Sequence, residues 1–252
     1  MASAFTEDSV VAAYQYRPPY PQSTFKLIAD LAASHHCMLD VGCGTGLIAR
    51  SLIDRFDQID AIDISPAMLE QARRLPRGDA PNLDWIEGPV ENTPLNPPYA
   101  LITAGDSLHW MDWHTVLPRF VDLLTPNGYL VILTVKTLPV AWESGLLSVI
   151  KQYSTNQAYQ PTNLIRELEQ RHLFSVHGHT KTEPEPFSQS VEDYIESFHG
   201  RASFSRQRMS VTASAEFDQT IRTLLRETGR DAVQLSIVAD VTWGIPLKLP
   251  SW

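Results

Sequence analysis

The chain has 252 residues, 43% hydrophobic and 19% charged, and a formal net charge of -9. That length and apolar content allow one sizeable core and exclude a disordered or coiled-coil composition, while the acidic balance repels phosphate backbones and argues against nucleic acid as a partner. Two cysteines, Cys37 and Cys43, imply no disulfide framework and no metal site and point to a reducing, cytoplasmic compartment; Met1–Val10 lacks the basic and apolar stretches of a signal peptide, and no apolar run is long enough to span a membrane.

In chain order, Cys37–Val41 (CMLDV) is predicted as a buried strand, Gly46–Arg55 as a helix and Gln58–Ile62 as a second strand. Pro66–Arg74 is predicted as a helix with Ser65 as its N-cap and Pro66 at its first position. Leu83–Glu87 and Tyr99–Ala104 are the third and fourth strands. Trp113–Leu124 is a helix, Pro126-Asn127-Gly128 a turn, and Tyr129–Val135 the fifth strand. Continuously apolar strands separated by helices imply a parallel sheet covered on both faces, a doubly wound α/β layer. Beyond Val135, helices are predicted at Ala141–Tyr153, Asn163–His172, Val191–Ser197 and Ala213–Thr228, the last ended by Gly229. Phe174–Thr182 and Val233–Val241 are predicted strands, and Glu183–Pro186 an extended linker. No boundary or repeat is visible. The expectation is a single domain over 1–252, its core at about 14–135, with 136–252 adding the last strands and a helical cap.

The chemistry concentrates in Leu39-Asp40-Val41-Gly42-Cys43-Gly44-Thr45-Gly46, where a strand runs through three alternate glycines into a helix. Glycine serves where the backbone turns sharply and a ligand touches it, and in open α/β sheets that crevice lies outside the carboxyl ends of the strands. A dinucleotide fingerprint, G-x-G-x-x-G, would place its third glycine at position 47, which is Leu47 here. Asp40 at the mouth of the loop would oppose a pyrophosphate and favour a cationic ligand. Asp63, 21 positions after Gly42, ends the second strand where a carboxylate can accept ribose hydroxyls. Met68 lies in the following first helical turn, where a thioether can pack on a flat base; a core role is the alternative.

LDVGCGTG, AIDISPAMLEQAR, IEGPVENTPL, ALITAGDSLHWMD and LLTPNGYLVIL together resemble the class I S-adenosylmethionine-dependent methyltransferases of small-molecule type, within the subgroup that includes relatives of trans-aconitate methyltransferase. The resemblance covers about Tyr14 to Val135. It implies a seven-stranded, mostly parallel Rossmann-like sheet and S-adenosyl-L-methionine as cofactor, with methyl transfer to a small organic acceptor, a carboxylate being one option. By resemblance, Asp40, Gly42, Gly44 and Gly46 surround the methionine part, Asp63 holds the ribose, and Ile64 and Met68 flank the adenine. Gly88–Glu91, including Pro89 and Val90, edge the adenine amino group, and Gly105 follows the fourth strand at the site. Pro89 departs from the common aspartate there, leaving a backbone carbonyl, a water or Glu91 as acceptor. Tyr14–Pro21 resembles the subgroup's entry segment, with Tyr16 and Arg17 closing over the cofactor and Arg17 pairing its carboxylate.

Asn96-Pro97-Pro98-Tyr99 spells a tetrapeptide with which amino-methyltransferases hold a target nitrogen, but it precedes the fourth strand instead of following it. Six residues at about 3.3 Å each put it roughly 20 Å from the crevice, so it reads as a loop. After the fourth strand come Gly105, Asp106, Ser107, Leu108, His109 and Trp110. His109 is the first candidate for proton transfer and Asp106 the second, against a structural role for either. Arg201, Arg206 and Arg208 are candidates to bind an acceptor carboxylate, or else members of a solvated face; Phe198, Phe204, Trp110 and Trp142 are candidates to line an apolar pocket. A non-catalytic binding module, a nucleic-acid or protein methyltransferase and a nucleotide-dependent oxidoreductase are the competing readings, and either a monomer or a homodimer fits.

Overall fold

The computed structural model describes residues 7–32, 37–158, 162–226 and 232–248. The described elements are α1 (Asp8–Tyr14), α2 (Gln22–Asp30), β1 (Cys37–Val41), α3 (Leu47–Leu52), β2 (Gln58–Asp63), α4 (Pro66–Arg74), β3 (Leu83–Glu87), β4 (Tyr99–Gly105), α5 (Trp113–Leu123), β5 (Leu124–Thr137), α6 (Glu143–Tyr153), α7 (Leu164–Gln170), β6 (Phe174–Lys181), β7 (Glu185–Ser190), α8 (Val191–His199), α9 (Val211–Arg226) and β8 (Ala232–Pro246). The strands follow the order β3-β2-β1-β4-β5-β8-β6, with β7 off this path beside β8. The β1–β2, β1–β4, β2–β3 and β4–β5 pairs are parallel, whereas β6 and β7 pair antiparallel with β8.

Two compact units interleave along the chain. One comprises 20–135, 162–183 and 239–252; the other comprises 1–19, 136–161 and 184–238. In the first, the two-residue period of each strand divides its side chains between two cores. Met38, Ile59, Leu101 and Val131 pack with Phe25 and Ile28 of α2 and Ile48 and Leu52 of α3. Their neighbours Leu39, Ile102, Leu130 and Ile132 pack with Val116, Leu117 and Phe120 of α5 and Leu168 of α7. Local signals set the helix starts. The Met68 N–H donates to Ser65 Oγ at 3.3 Å, with Pro66 opening α4, and the His114 N–H donates to Asp112 Oδ1 at 3.1 Å at the start of α5.

The second unit is built on α1, α6, α8, α9, β7 and the first part of β8. Phe198, Phe204 and Phe217 meet there at ring separations of 5.1–6.1 Å, and each buried ring contributes about 1.5–3 kcal/mol. Beside them His199 is fully buried. Its Nδ1 faces the Phe204 carbonyl and its Nε2 faces Asp218, both at 2.7 Å. Arg206 also bonds Asp218, at 3.0 Å. Burial pushes the Asp218 carboxyl up, but His199 and Arg206 outweigh it and hold it below its ordinary range. A carboxylate on one side and a carbonyl on the other thus give each ring nitrogen of His199 a polar partner inside the core.

Several expectations change. There are eight strands among the described residues where seven were expected, because β7 forms within and beyond the predicted linker. The predicted turn at 126–128 is instead an irregularity inside β5. Tyr99 pairs with Leu124 and Leu101 with Tyr129, so the extra residues bulge while pairing resumes. Helices α1 and α2 carried no prediction. Helix α3 begins at Leu47 because Gly46 is left-handed, and it stops at Leu52, shorter than expected. Thr228 and Gly229, the predicted end of the last helix, lie outside the described residues, as do residues 1–6.

Candidate functional site

Between β1 and β4 the strand order reverses, since β2 lies on one side of β1 and β4 on the other. Loops leaving the carboxyl ends of such strands diverge and open a crevice. The loop after β1 carries the three glycines, and all three are left-handed: Gly42 at φ +62°, Gly44 at +55° and Gly46 at +72°. A Cβ at Gly42 would lie 2.6 Å from that of Ser107, and one at Gly46 would lie 2.1 Å from the Trp85 ring, so the loop lies against both neighbours. It is tied to β2 by the Cys43 N–H on the Ile62 carbonyl (3.1 Å) and the Gly44 N–H on Asp63 Oδ2 (2.8 Å).

The two carboxylates differ in role. Asp40 is not at the mouth of the loop. It is 1% exposed, accepting from Thr103 Oγ1 at 2.8 Å and from the Ala49 N–H at 3.3 Å. Burial raises its pKa to about 7, against these hydrogen bonds. The expected counter-charge is therefore sequestered beneath the loop, since an alternating strand turns Asp40 inward toward β4 and α3. Asp63 ends β2 as predicted and is 9% exposed. Its Oδ1 accepts from the Ser65 N–H at 2.9 Å. Burial raises its pKa, while the N–H groups of Gly44, Ser65 and Ile64 oppose the rise.

Ile64 is 39% exposed, an uncovered apolar side chain directly after Asp63. Met68, expected beside it on the adenine, is 1% exposed, because the first turn of α4 directs it into the core. Gly88 (φ +142°) donates its N–H to the Asp63 carbonyl at 3.0 Å. Pro89 is exposed and Val90 buried. The Pro89 carbonyl already accepts from Thr93 Oγ1 at 2.8 Å. Glu91 Oε1 accepts from the Asp112 N–H at 3.3 Å, and Arg119 donates to the Glu91 carbonyl at 2.8 Å. Both acceptors expected near the base thus have partners inside the fold.

After β4, a Cβ at Gly105 would lie 2.6 Å from both Tyr20 Oη and Ile48 Cδ1. Ser107 Oγ donates to the Val41 carbonyl at 2.7 Å, joining the ends of the two central strands. Asp106 stands at φ +51°, uncommon for a residue with a side chain. Its Oδ2 accepts from Tyr20 Oη and the Val135 N–H, each at 3.4 Å. His109 is exposed in the short helical turn Leu108–Trp110, with its ring 4.6 Å from that of Trp110. The sequence places Ser107 in the segment after the fourth strand and Tyr20 in the entry segment, but assigns neither of them a role in this cluster.

The remaining candidates lie in the helical unit. Tyr16 accepts at its carbonyl from Gln189 at 3.4 Å, and the Arg17 guanidinium sits 5.1 Å from the Tyr14 ring centre. Arg206 pairs with Glu196 and Asp218, Arg208 with Glu7 at 2.7 Å, and Arg201 lies over Phe198. Phe198, Phe204 and Trp142 are core residues, not pocket lining, at 2%, 4% and 7% exposed. Tyr99, in the tetrapeptide before β4, donates to Asp60 Oδ2 at 2.5 Å and accepts from the Asn96 N–H at 2.9 Å. Burial and Asp60 together push its hydroxyl far above the ordinary value, so that segment is part of the core.

Residues 38–128 match the family described as "Methyltransferase domain". A malonyl-[acyl-carrier protein] O-methyltransferase of Ilyobacter polytropus is 43% identical over 77 residues, 30% of this chain and 28% of that protein. A trans-aconitate 2-methyltransferase of an Enterobacter species is 38% identical over 122 residues, 47% of each chain. The chain thus spans under half the length of both curated relatives. Over nearly its whole length it resembles a structure described as a type II methyltransferase from Anaeromyxobacter dehalogenans, with a TM-score of 0.61 and 20% identity over 92% of this chain and 99% of that one. That likeness is one of fold, the Rossmann-like sheet of the class I methyltransferases. The family match is confined to residues 38–128 of this chain, from β1 into β5.

Proposed function

We propose that the chain is an S-adenosylmethionine-dependent methyltransferase that acts on a small organic acceptor. The observation that carries this reading is the run of three left-handed glycines after β1, bonded through Gly44 to the carboxylate that ends β2. The donor set fits the cofactor. Asp63 retains acceptor capacity suited to ribose hydroxyls, Ile64 offers apolar surface for a base, and the loop admits close approach of a ligand along Gly42, Gly44 and Gly46. A buried carboxylate in direct contact with the glycine loop suits a cationic nucleoside better than a pyrophosphate.

In this reading the backbone of Pro89–Glu91 edges the adenine and Gly105 floors the methionine part. When bound, the cofactor supplies an activated methyl group whose sulfur is a ready leaving group. The chain then has to align an acceptor and keep water out. His109, exposed on the turn after β4, is the proton carrier for an acceptor that loses a proton. The engagement of Arg206 and Arg208 within the fold argues against a carboxylate held by those residues. No described helix is long and apolar enough to cross a membrane, in keeping with a cytoplasmic enzyme working as a monomer or homodimer on small molecules.

The test is calorimetric titration of the intact chain with S-adenosylhomocysteine and with NAD, followed by incubation with labelled S-adenosylmethionine and a metabolite pool. Binding of the first ligand alone, with label entering a small molecule, is expected. Binding of NAD alone would overturn the reading, and donor binding with no product would reduce the chain to a binding module.

A further inference from the structure

The sequence offered Asp40 as the partner of the donor's positive charge, but both its oxygens face inward, to Thr103 and Ala49. Asp63 is bonded to Gly44 and Ser65 at the ribose end. A third carboxylate stands at the switch point. Asp106 follows the last residue of β4, across the β1–β4 pair from the glycine loop, and is half-buried. Three features hold it there. Its own N–H donates to the Leu133 carbonyl at 2.9 Å, its Oδ2 accepts from the Val135 N–H, and Tyr20 Oη reaches the same oxygen from 86 residues away. Tyr20 itself lies over Gly105 and is 7% exposed. The left-handed backbone of Asp106 is the kind of strained conformation that persists where surrounding contacts over-determine it, and such residues cluster at binding sites.

We infer that Asp106, oriented by Tyr20, is the carboxylate that receives the positive charge of the donor's amino-acid end. This rests on the reading that the donor binds beside the glycine loop. The charge logic is direct. The donor carries an ammonium and a sulfonium, and a carboxylate in a half-buried crevice interacts with them more strongly than it would in water. Asp106 is thus a binding residue, and Tyr20 a positioning residue acting through it.

The experiment compares three probes on the intact wild-type chain and on Asp106→Asn and Tyr20→Phe. Asparagine tolerates a left-handed backbone, so the fold is kept; Asp106→Gly provides a second variant free of that strain. The probes are S-adenosylmethionine, S-adenosylhomocysteine, and 5′-methylthioadenosine, which keeps the adenosine but has neither ammonium nor sulfonium. Asp106→Asn and Asp106→Gly are expected to weaken the two charged ligands about tenfold or more and to leave methylthioadenosine within about twofold. Tyr20→Phe is expected to weaken the charged ligands by a few-fold only. A larger loss for S-adenosylmethionine than for S-adenosylhomocysteine identifies the sulfonium as the partner, and equal losses identify the ammonium. Equal loss on all three probes means a structural role, and no loss on any means no role; either result overturns the inference while donor binding stands. If wild type binds none of the three, the proposed function falls, and this inference with it.

Discussion

Replacing Asp40 by asparagine should make the ligand-free protein more stable, by an amount that depends on pH. The ordinary aspartate value is 3.8, and burial raises that of Asp40 to about 7. Below 3.8 the folded and unfolded chains are both protonated there, and the group costs nothing. Between 3.8 and about 7 the folded chain keeps a proton that the unfolded chain releases, so stability falls as pH rises, by about 1.4 kcal/mol per unit. Above about 7 the cost is complete, at about 4 kcal/mol. The geometry accepts the amide. Asparagine Oδ1 can take the Ala49 N–H in place of the present acceptor, and its Nδ2 can donate to Thr103 Oγ1, whose own proton turns to the Leu39 carbonyl 3.4 Å away. Urea unfolding of both proteins at pH 5 and pH 8 measures the effect. Other titrating groups cancel in the difference, and the advantage of Asp40→Asn should grow by about 3 kcal/mol between the two pH values. An advantage that is the same at both, or a mutant less stable at both, would refute the assignment of a buried, uncompensated carboxylate.

Two further outcomes test the frame of the site. Gly46→Ala forces a side chain into φ +72° and onto the Trp85 ring. It should cost more than about 2 kcal/mol in chemical denaturation, and a loss near zero would show that the loop relaxes freely. Tyr99→Phe removes the hydroxyl shared by Asp60 and the Asn96 N–H. It should lower stability by about 2 kcal/mol while leaving S-adenosylhomocysteine affinity as in wild type. Lost affinity at unchanged thermal stability would instead return the Asn96–Tyr99 segment to the site.

What was legible in the sequence was local. Left-handed backbone favours glycine, so the alternate glycines at 42, 44 and 46 announced their conformation. Ser65 and Pro66 announced the start of α4 for a similar reason, since a cap is a contact between near neighbours. Apolar runs located β1 to β5 and the parallel layer, because strands buried on both faces are mostly apolar. The position of Asp63 followed from the length of one strand–helix–strand unit.

Only the tertiary structure decided which partners each carboxylate takes. Asp40 is sequestered by Thr103, which is 63 positions away on the neighbouring strand. Asp106 is held by Tyr20, 86 positions away. Arg206 and Arg208 bond to carboxylates of their own unit, and Met68 turns inward while Ile64 stays exposed. The division into two units, the bulge that replaced a turn in β5 and the phenylalanine core around His199 likewise depend on residues distant in sequence. Backbone preference is written in a residue and its neighbours, but burial and charge pairing are properties of whichever partners the fold brings together. The motif therefore showed where the glycine loop turns, and packing chose the partners of the carboxylates around it.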